Sequence, residues 1–273
     1  MAIYGKDKVK MKIIDVHAHI FPEKIASKAV DSIGAFYEVV KMSGEGTTEA
    51  LLNSGKQIGV SKYLVFSTAT KAEQVESINR FIISECEKHS EMIGLGTMFI
   101  GFENYQDELV FLKNNNINGI KLHPDFQKFR IDDEKLYPVY DYMEKNNMLM
   151  LTHSGDYRYS FSNPEKIANI AKKFPKMNII AAHFGGWSEW DKAIEYLNLP
   201  NVYFDTSSTF GFGGEEYAKK MIKKYDTTHF FFGTDFPMWD HKKELDRFMA
   251  LGLPDKTVED ILYNNFASFY GLL

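Results

Sequence analysis

Short apolar runs alternate with longer amphipathic ones from residue 13 to the C-terminus, and this alternation leaves few architectures open. After an opening run, IIDVHAH, strand-type segments recur at 62–67 (KYLVFS), 93–99, 119–123 (GIKLH), 148–153 (MLMLTH), 178–183 (NIIAAH), 201–206 (NVYFDT) and 229–235 (HFFFGTD). Helix-type segments separate them at 47–58, 71–88, 104–115, 132–146, 163–174, 188–197 and 214–224, and 243–250 and 257–270 close the chain. The strand segments are continuously apolar rather than alternating, which suits parallel strands covered on both faces. Eight such units predict an α/β fold of the (β/α)8 TIM-barrel type. An open doubly wound sheet should carry a glycine-rich phosphate loop after its first strand. This chain has His-Ala-His-Ile-Phe-Pro there. With 273 residues, one barrel domain spanning 1–273 is expected. Residues 23–46 read as an irregular insertion, long for a loop between strand and helix and suited to a lid with its own short helix.

Barrel active sites lie at the C-terminal ends of the strands. Five of the eight histidines fall there: His17, His19, His123, His153 and His183. Asp235 ends the last strand. His17 and His19 occupy alternate positions of one strand and so share a face. Imidazole and carboxylate together suit a divalent cation, most readily Zn2+, with Mn2+, Fe2+ or Co2+ as alternatives. A cation in such a set activates water, and Asp235 is placed both to bind it and to accept a proton. Lys121 and His123 share a face of the fourth strand. They read either as substrate contacts, or as a lysine paired with a carboxylate and a histidine bonded within the loop before Pro124. Arg158 and Arg130 are candidates for holding a substrate carboxylate. Phe21, Trp187, Trp190, Phe210, Phe212 and Trp239 follow strand ends, where they line an apolar pocket or pack loops.

The set DVHAH, GIKLHP, THSG, AAHFGG and GTDFP resembles the amidohydrolase superfamily. The likeness is to its amidohydrolase-related (amidohydrolase 2) branch, which includes proteins like aminocarboxymuconate-semialdehyde decarboxylase, and it runs from the first strand to the last. The resemblance implies metal ligands at His17, His19, His153 and Asp235, and catalytic roles for Asp235 and for His183, which would orient or deprotonate water. It implies one or two metals per chain, the second requiring a carboxylated Lys121. Barrels of the polymerase-and-histidinol-phosphatase type tend to close with Asp-x-His, and TatD-type nucleases place Glu on the fourth strand; neither pattern fits here.

The expected activity is hydrolysis of an amide, ester or lactone of a small molecule. Nonoxidative decarboxylation of a small aromatic or dienoic acid on the same site is the alternative, and a non-catalytic metal-binding protein a weaker one. A formal net charge of −5 without a basic block argues against nucleic acid as a partner. No apolar run is long enough to span a membrane, and residues 1–12 lack the apolar region of a signal peptide. The single cysteine, Cys86, forms no internal disulfide, and a cytoplasmic location is expected. Pairing into a homodimer is a further expectation from the branch.

Overall fold

The computed structural model describes residues 11–39 and 41–273. The reading of residues 1–10 as polar and leaderless lies outside them, as does Val40 within the expected lid. The chain divides into two compact units: Met1–Val65 with Thr206–Leu273, and Phe66–Asp205.

In the first unit, β1 (Ile13–His19) is the central element. Ile13, Ile14, Val16 and Ala18 are buried, as continuous apolar patterning requires of a strand covered on both faces. β2 (Val60–Phe66) lies beside it. On its other edge runs the segment that begins as β9 (Phe230–Phe231). Val16 N–H donates to Phe232 O at 2.9 Å, Asp235 N–H to His17 O at 2.8 Å and His19 N–H to Phe236 O at 2.7 Å. The ladder therefore reaches residue 236 although regular strand stops at 231. Phe232 turns its own N–H to the carbonyl of Ile261, 3.0 Å away. That carbonyl belongs to a widened turn, Asp260–Asn264, between α11 (Asp255–Glu259) and α12 (Asn265–Tyr270). The single helix expected over 257–270 is thus three pieces, because the wider turn accommodates an inter-element bond.

Residues 23–46 are not irregular throughout. Glu23–Tyr37 form α1, whose buried positions Ala26, Val30 and Gly34 recur every four residues. Pro22 stands at its N-cap and makes no side-chain cap bond, so the usual polar start signal is missing. α2 (Thr48–Lys56) starts as expected, with Thr47 accepting the Ala50 N–H. α9 (Glu215–Lys224) and α10 (His241–Met249) complete this unit, and Asp240 caps α10 by accepting from Lys243 N.

The second unit carries β3 (Met92–Gly94), β4 (Gly96–Thr97), β5 (Gly119–Leu122), β6 (Leu149–Thr152), β7 (Ile179–Ala181) and β8 (Val202–Asp205). β4 to β8 pair in chain order, all parallel. The strand expected over 93–99 is interrupted at Leu95 and ends early. Asn79 on α3 (Val75–Lys88) takes the Thr97 N–H at 2.7 Å and donates to Thr97 O at 3.3 Å, satisfying backbone that would otherwise seek a strand. α4 (Tyr105–Asn114), α6 (Tyr137–Lys145), α7 (Pro164–Lys173) and α8 (Trp190–Tyr196) are the crossovers. Pro164 sits at the first helical turn, where its missing N–H is harmless. A short α5 (Pro124–Gln127), absent from the sequence reading, follows β5 directly.

Cys86 is half-buried, and burial first, then Glu85 and Glu87, push its thiol up to about 12, which makes it a poor nucleophile. Among the described residues, no helix is long and apolar enough to cross a membrane.

Candidate metal centre

The alternate histidines of β1 behave as their period demands. His17 Nε2 and His19 Nε2 lie 3.4 and 3.3 Å from the same atom, Asp235 Oδ1. These separations exceed a good N–H···O bond. They match the roughly 3.3–3.4 Å between neighbouring ligands of a tetrahedral cation with bonds of about 2.0–2.1 Å. The three donor atoms all lie within 4.8 Å of one another and the three residues are largely buried. A proton satisfies one pair of such atoms, whereas a cation satisfies all three. This donor set fits a divalent metal.

The surroundings fix each of these side chains. Ser207 Oγ is 3.1 Å from His17 Nδ1, which leaves Nε2 as the atom turned to Asp235. Phe21 stacks on His19, with ring centroids 6.4 Å apart and 11° between planes. Asp15, fully buried in β1, accepts the N–H groups of His17 and Thr234, each at 3.0 Å, and the Thr234 hydroxyl at 2.6 Å. His241 Nε2 stands 3.0 Å from Asp15 Oδ2, and its Nδ1 is 2.8 Å from Ser54 Oγ. None of Asp15, Thr234, Ser207, Ser208 or His241 was assigned a role from sequence. The available signal was an acidic residue in an otherwise apolar strand, and hydroxyls gathered at strand ends.

Glu244, behind this region on α10, is fully buried, with Oε1 bonded to Arg247 and Oε2 making no hydrogen bond. Burial pushes its carboxyl up to about 7, partly opposed by Arg247 and helped by Asp235 and Asp15. The folded state therefore holds a proton that the unfolded chain releases near the ordinary glutamate range. Stability contributed by neutral Glu244 is full at low pH and declines as pH rises toward about 7. The metal-free protein should lose on the order of 2 kcal/mol between pH 5 and 8 through this group. Thermal unfolding of E244Q should be flatter over that interval; an equal slope in both proteins would refute the assignment.

In the second unit the strand register sets three histidines side by side. Leu122 pairs with Thr152 and Thr152 with Ala181, so the chain emerges at His123, His153 and His183 from neighbouring strands at one end. His153 Nδ1 lies 3.1 Å from His183 Nε2, and His183 N–H donates to Asp205 Oδ1 at 3.1 Å. Burial, then the charges of His123, His183 and Lys121, hold His153 well below the ordinary imidazole range, so it is neutral. His123 and Asp125 gather near His153. The His123 and His153 rings are stacked at 4.0 Å and 7°, and in-plane lone pairs of parallel rings do not meet at one point. His123 Nδ1 accepts the Phe126 N–H at 3.2 Å, capping α5, in line with the loop-bonded reading. Asp125 accepts bonds from the Ser162 hydroxyl and Phe161 N–H, yet burial still pushes it up to about 6. Lys121 is buried with Nζ 4.8 Å over the Phe66 ring.

Gly185 and Gly186 let other parts of the chain approach closely. A Cβ at Gly186 would lie 2.9 Å from Glu189 O, and one at Gly155 would lie 2.9 Å from the Gly186 backbone. Three successive residues, His183, Phe184 and Gly185, have left-handed backbone. Trp190 Nε1 donates to His183 O at 2.9 Å, which makes it a loop anchor. Arg158 donates from Nε and Nη2 to buried Asp156 at 3.0 and 2.8 Å, and lies over Trp187 at 5.3 Å. Its charge is therefore already compensated. Trp187 in turn lies 6.2 Å from the His153 ring. Arg130 pairs with its neighbour Asp132 at the surface.

Comparison with known proteins bears on the family and the fold. The profile of the family described as Amidohydrolase matches residues 14–272. No curated protein matches the chain. Among solved structures, an uncharacterized TIM-barrel protein from Bordetella bronchiseptica superposes with a TM-score of 0.77 at 17% identity, covering 96% of this chain and 99% of that one. A probable 2-pyrone-4,6-dicarboxylic acid hydrolase from Acinetobacter baumannii gives 0.71 at 15% identity, covering 96% and 100%. A dihydroxybenzoic acid decarboxylase from Polaromonas, with bound manganese and the inhibitor 2-nitroresorcinol, gives 0.71 at 13% identity, covering 96% and 97%. The fold is that of the TIM-barrel enzymes, as the alternation of strand and helix predicts. The chain belongs to the amidohydrolase family.

Proposed function

We propose that this protein is a metal-dependent hydrolase, acting through one divalent metal, with zinc suggested by the histidine and carboxylate donors, on the carbonyl carbon of a small amide, ester or lactone. The observation that carries the reading is the convergence of His17 Nε2, His19 Nε2 and Asp235 Oδ1 on one another. A divalent cation held there supplies Lewis acidity, acidifying water and polarising a carbonyl. Asp235 accepts the proton released as water attacks and returns it to the leaving group. His183 orients or polarises the attacked group. The role of His153 as a further ligand rests on the resemblance alone, though its neutrality suits a ligand. By their places after strand ends, Phe21 and Trp187 are assigned as apolar contacts to the substrate, and Arg158, already paired with Asp156, as a further contact to a substrate carboxylate. The chain works as a single catalytic domain, in the cytoplasm, on small molecules rather than nucleic acid or membrane, and as a homodimer.

A second reading is decarboxylation of a small aromatic acid on the same residues. It is favoured by the likeness to a dihydroxybenzoic acid decarboxylase, which weighs about as much as the likeness to a pyrone hydrolase. One experiment separates them. Elemental analysis gives metal per chain, and the reconstituted enzyme is screened in parallel for release of labelled CO2 from aromatic acids and for hydrolysis of esters, amides and lactones. One metal per chain with hydrolysis alone is the expected result. CO2 release without hydrolysis would transfer the assignment to the second reading, and absence of metal binding would end both.

A further inference from the structure

We infer that Ser208 and Trp239 are positioning residues that select which oxygen of Asp235 is presented to the metal. This inference rests on the metal site proposed above. Asp235 Oδ1 faces the two histidines, and Oδ2 lies 2.5 Å from Ser208 Oγ. Trp239 Nε1 stands 2.9 Å from the same Ser208 oxygen. Counting protons fixes the direction of each bond. An indole nitrogen only donates, so Ser208 Oγ accepts from Trp239. The single hydroxyl proton must then go elsewhere, and two acceptors are in reach: Asp235 Oδ2 and, at 3.5 Å, Met238 Sδ. A carboxylate oxygen is a far stronger acceptor than a thioether. The indole thus forces the hydroxyl toward Oδ2, occupies that oxygen with a charge-assisted bond, and leaves Oδ1 as the face turned to His17 and His19.

The rest of the local structure holds this relay in place. Ser208 has a φ of 47°, a conformation that L residues rarely adopt. It follows directly on Ser207, which fixes His17, so two successive side chains each reach a different ligand. The indole is confined on three sides. A Cβ at Gly211 would lie 2.4 Å from Trp239 Cζ2, the Arg247 guanidinium sits 4.9 Å from the ring centroid, and the Phe212 ring meets it edge-on at 5.6 Å. Trp239 is therefore more than a pocket wall, since its ring is clamped and its one polar atom is spent on the serine that holds a ligand.

The test uses the full chain stripped of metal and titrated with Co(II), following visible absorption and competition with a chelator. Groups that orient a metal ligand are typically worth about 10–100-fold in metal affinity. S208A should fall in that range and alter the cobalt spectrum. S208G should lose affinity comparably, although glycine suits the backbone better, because the hydroxyl and not the turn is what matters. W239F keeps an aromatic ring under Arg247 and beside Gly211 but has no N–H, and should fall at the lower end of the same range. Thermal unfolding of the metal-free proteins checks that each variant is folded, and W239F alone suffices if a serine variant is not. Cobalt affinity and spectrum unchanged in the folded variants would overturn the inference while leaving the metal site intact. A wild-type protein that binds no cobalt, or D235A that binds it as tightly as wild type, would overturn the metal site and this inference together.

Discussion

Replacing Asp235 by alanine should take turnover below detection and strip most of the metal. Asp235 supplies the only oxygen among the three convergent donor atoms of the first unit, and the only negative charge. Without it, two neutral imidazoles face a cation with nothing to offset its charge. The loss should exceed about a hundredfold in metal affinity, since even a group that merely orients a ligand accounts for 10–100-fold. D235N separates two roles. It keeps the outline and an oxygen, and asparagine tolerates the left-handed backbone that Asp235 adopts at a φ of 59°. Its amide cannot accept a proton in the relevant range, so D235N should retain more metal than D235A and still fail to turn over. Elemental analysis beside initial rates on the restored enzyme decides the matter. Full activity in D235A would falsify the proposed function.

The residues that carry this prediction differ in how visible they were beforehand. His17 and His19 could be paired from sequence because a strand has a period of two and the run around them is apolar enough to be a strand. Asp235 was visible because it ends the last apolar run. The serines behind them were not. Ser207 and Ser208 are adjacent, and adjacent side chains point apart unless the backbone turns, which it does here through an unusual φ at Ser208. No pattern of residue types announces that turn. A helix was expected in 23–46, but its full length and its start at Glu23 were not legible for a related reason: a proline stands where a capping side chain normally signals a start. Strand ends were also misjudged, at 97 and at 231, where a side chain or a helix carbonyl takes over the backbone bonds. Those partners are distant in sequence. The eightfold alternation was legible because it needs only local periodicity, whereas the supports behind the proposed metal ligands depend on tertiary contacts.

Asp15→Ala should be the most destabilising single substitution near the site, costing about 4 kcal/mol or more. Three donors converge on this carboxylate, from His17 N–H, Thr234 N–H and the Thr234 hydroxyl, and His241 Nε2 approaches a fourth time. Asp15 is fully buried, so water does not replace it without entering the core. Each donor left unsatisfied costs about 1–3 kcal/mol. At roughly 2–4 °C per kcal/mol in a domain of this size, the metal-free protein should melt about 10 °C lower. The damage should reach the metal as well, because Asp15 ties the backbone of one ligand, His17, to the residue preceding another, Asp235. D15N is the discriminating variant. Its remaining oxygen still accepts the two backbone N–H groups, while its amide meets the Thr234 hydroxyl and His241, both of which can turn to accept. It should therefore lose only about 1–2 kcal/mol and keep most of its metal affinity. If D15N proved as damaging as D15A, the hydrogen-bond count would be the wrong account and charge, not connectivity, would be what Asp15 provides. Unfolding of both variants with and without added zinc distinguishes these outcomes, because connectivity predicts that zinc restores D15N almost fully and D15A only in part.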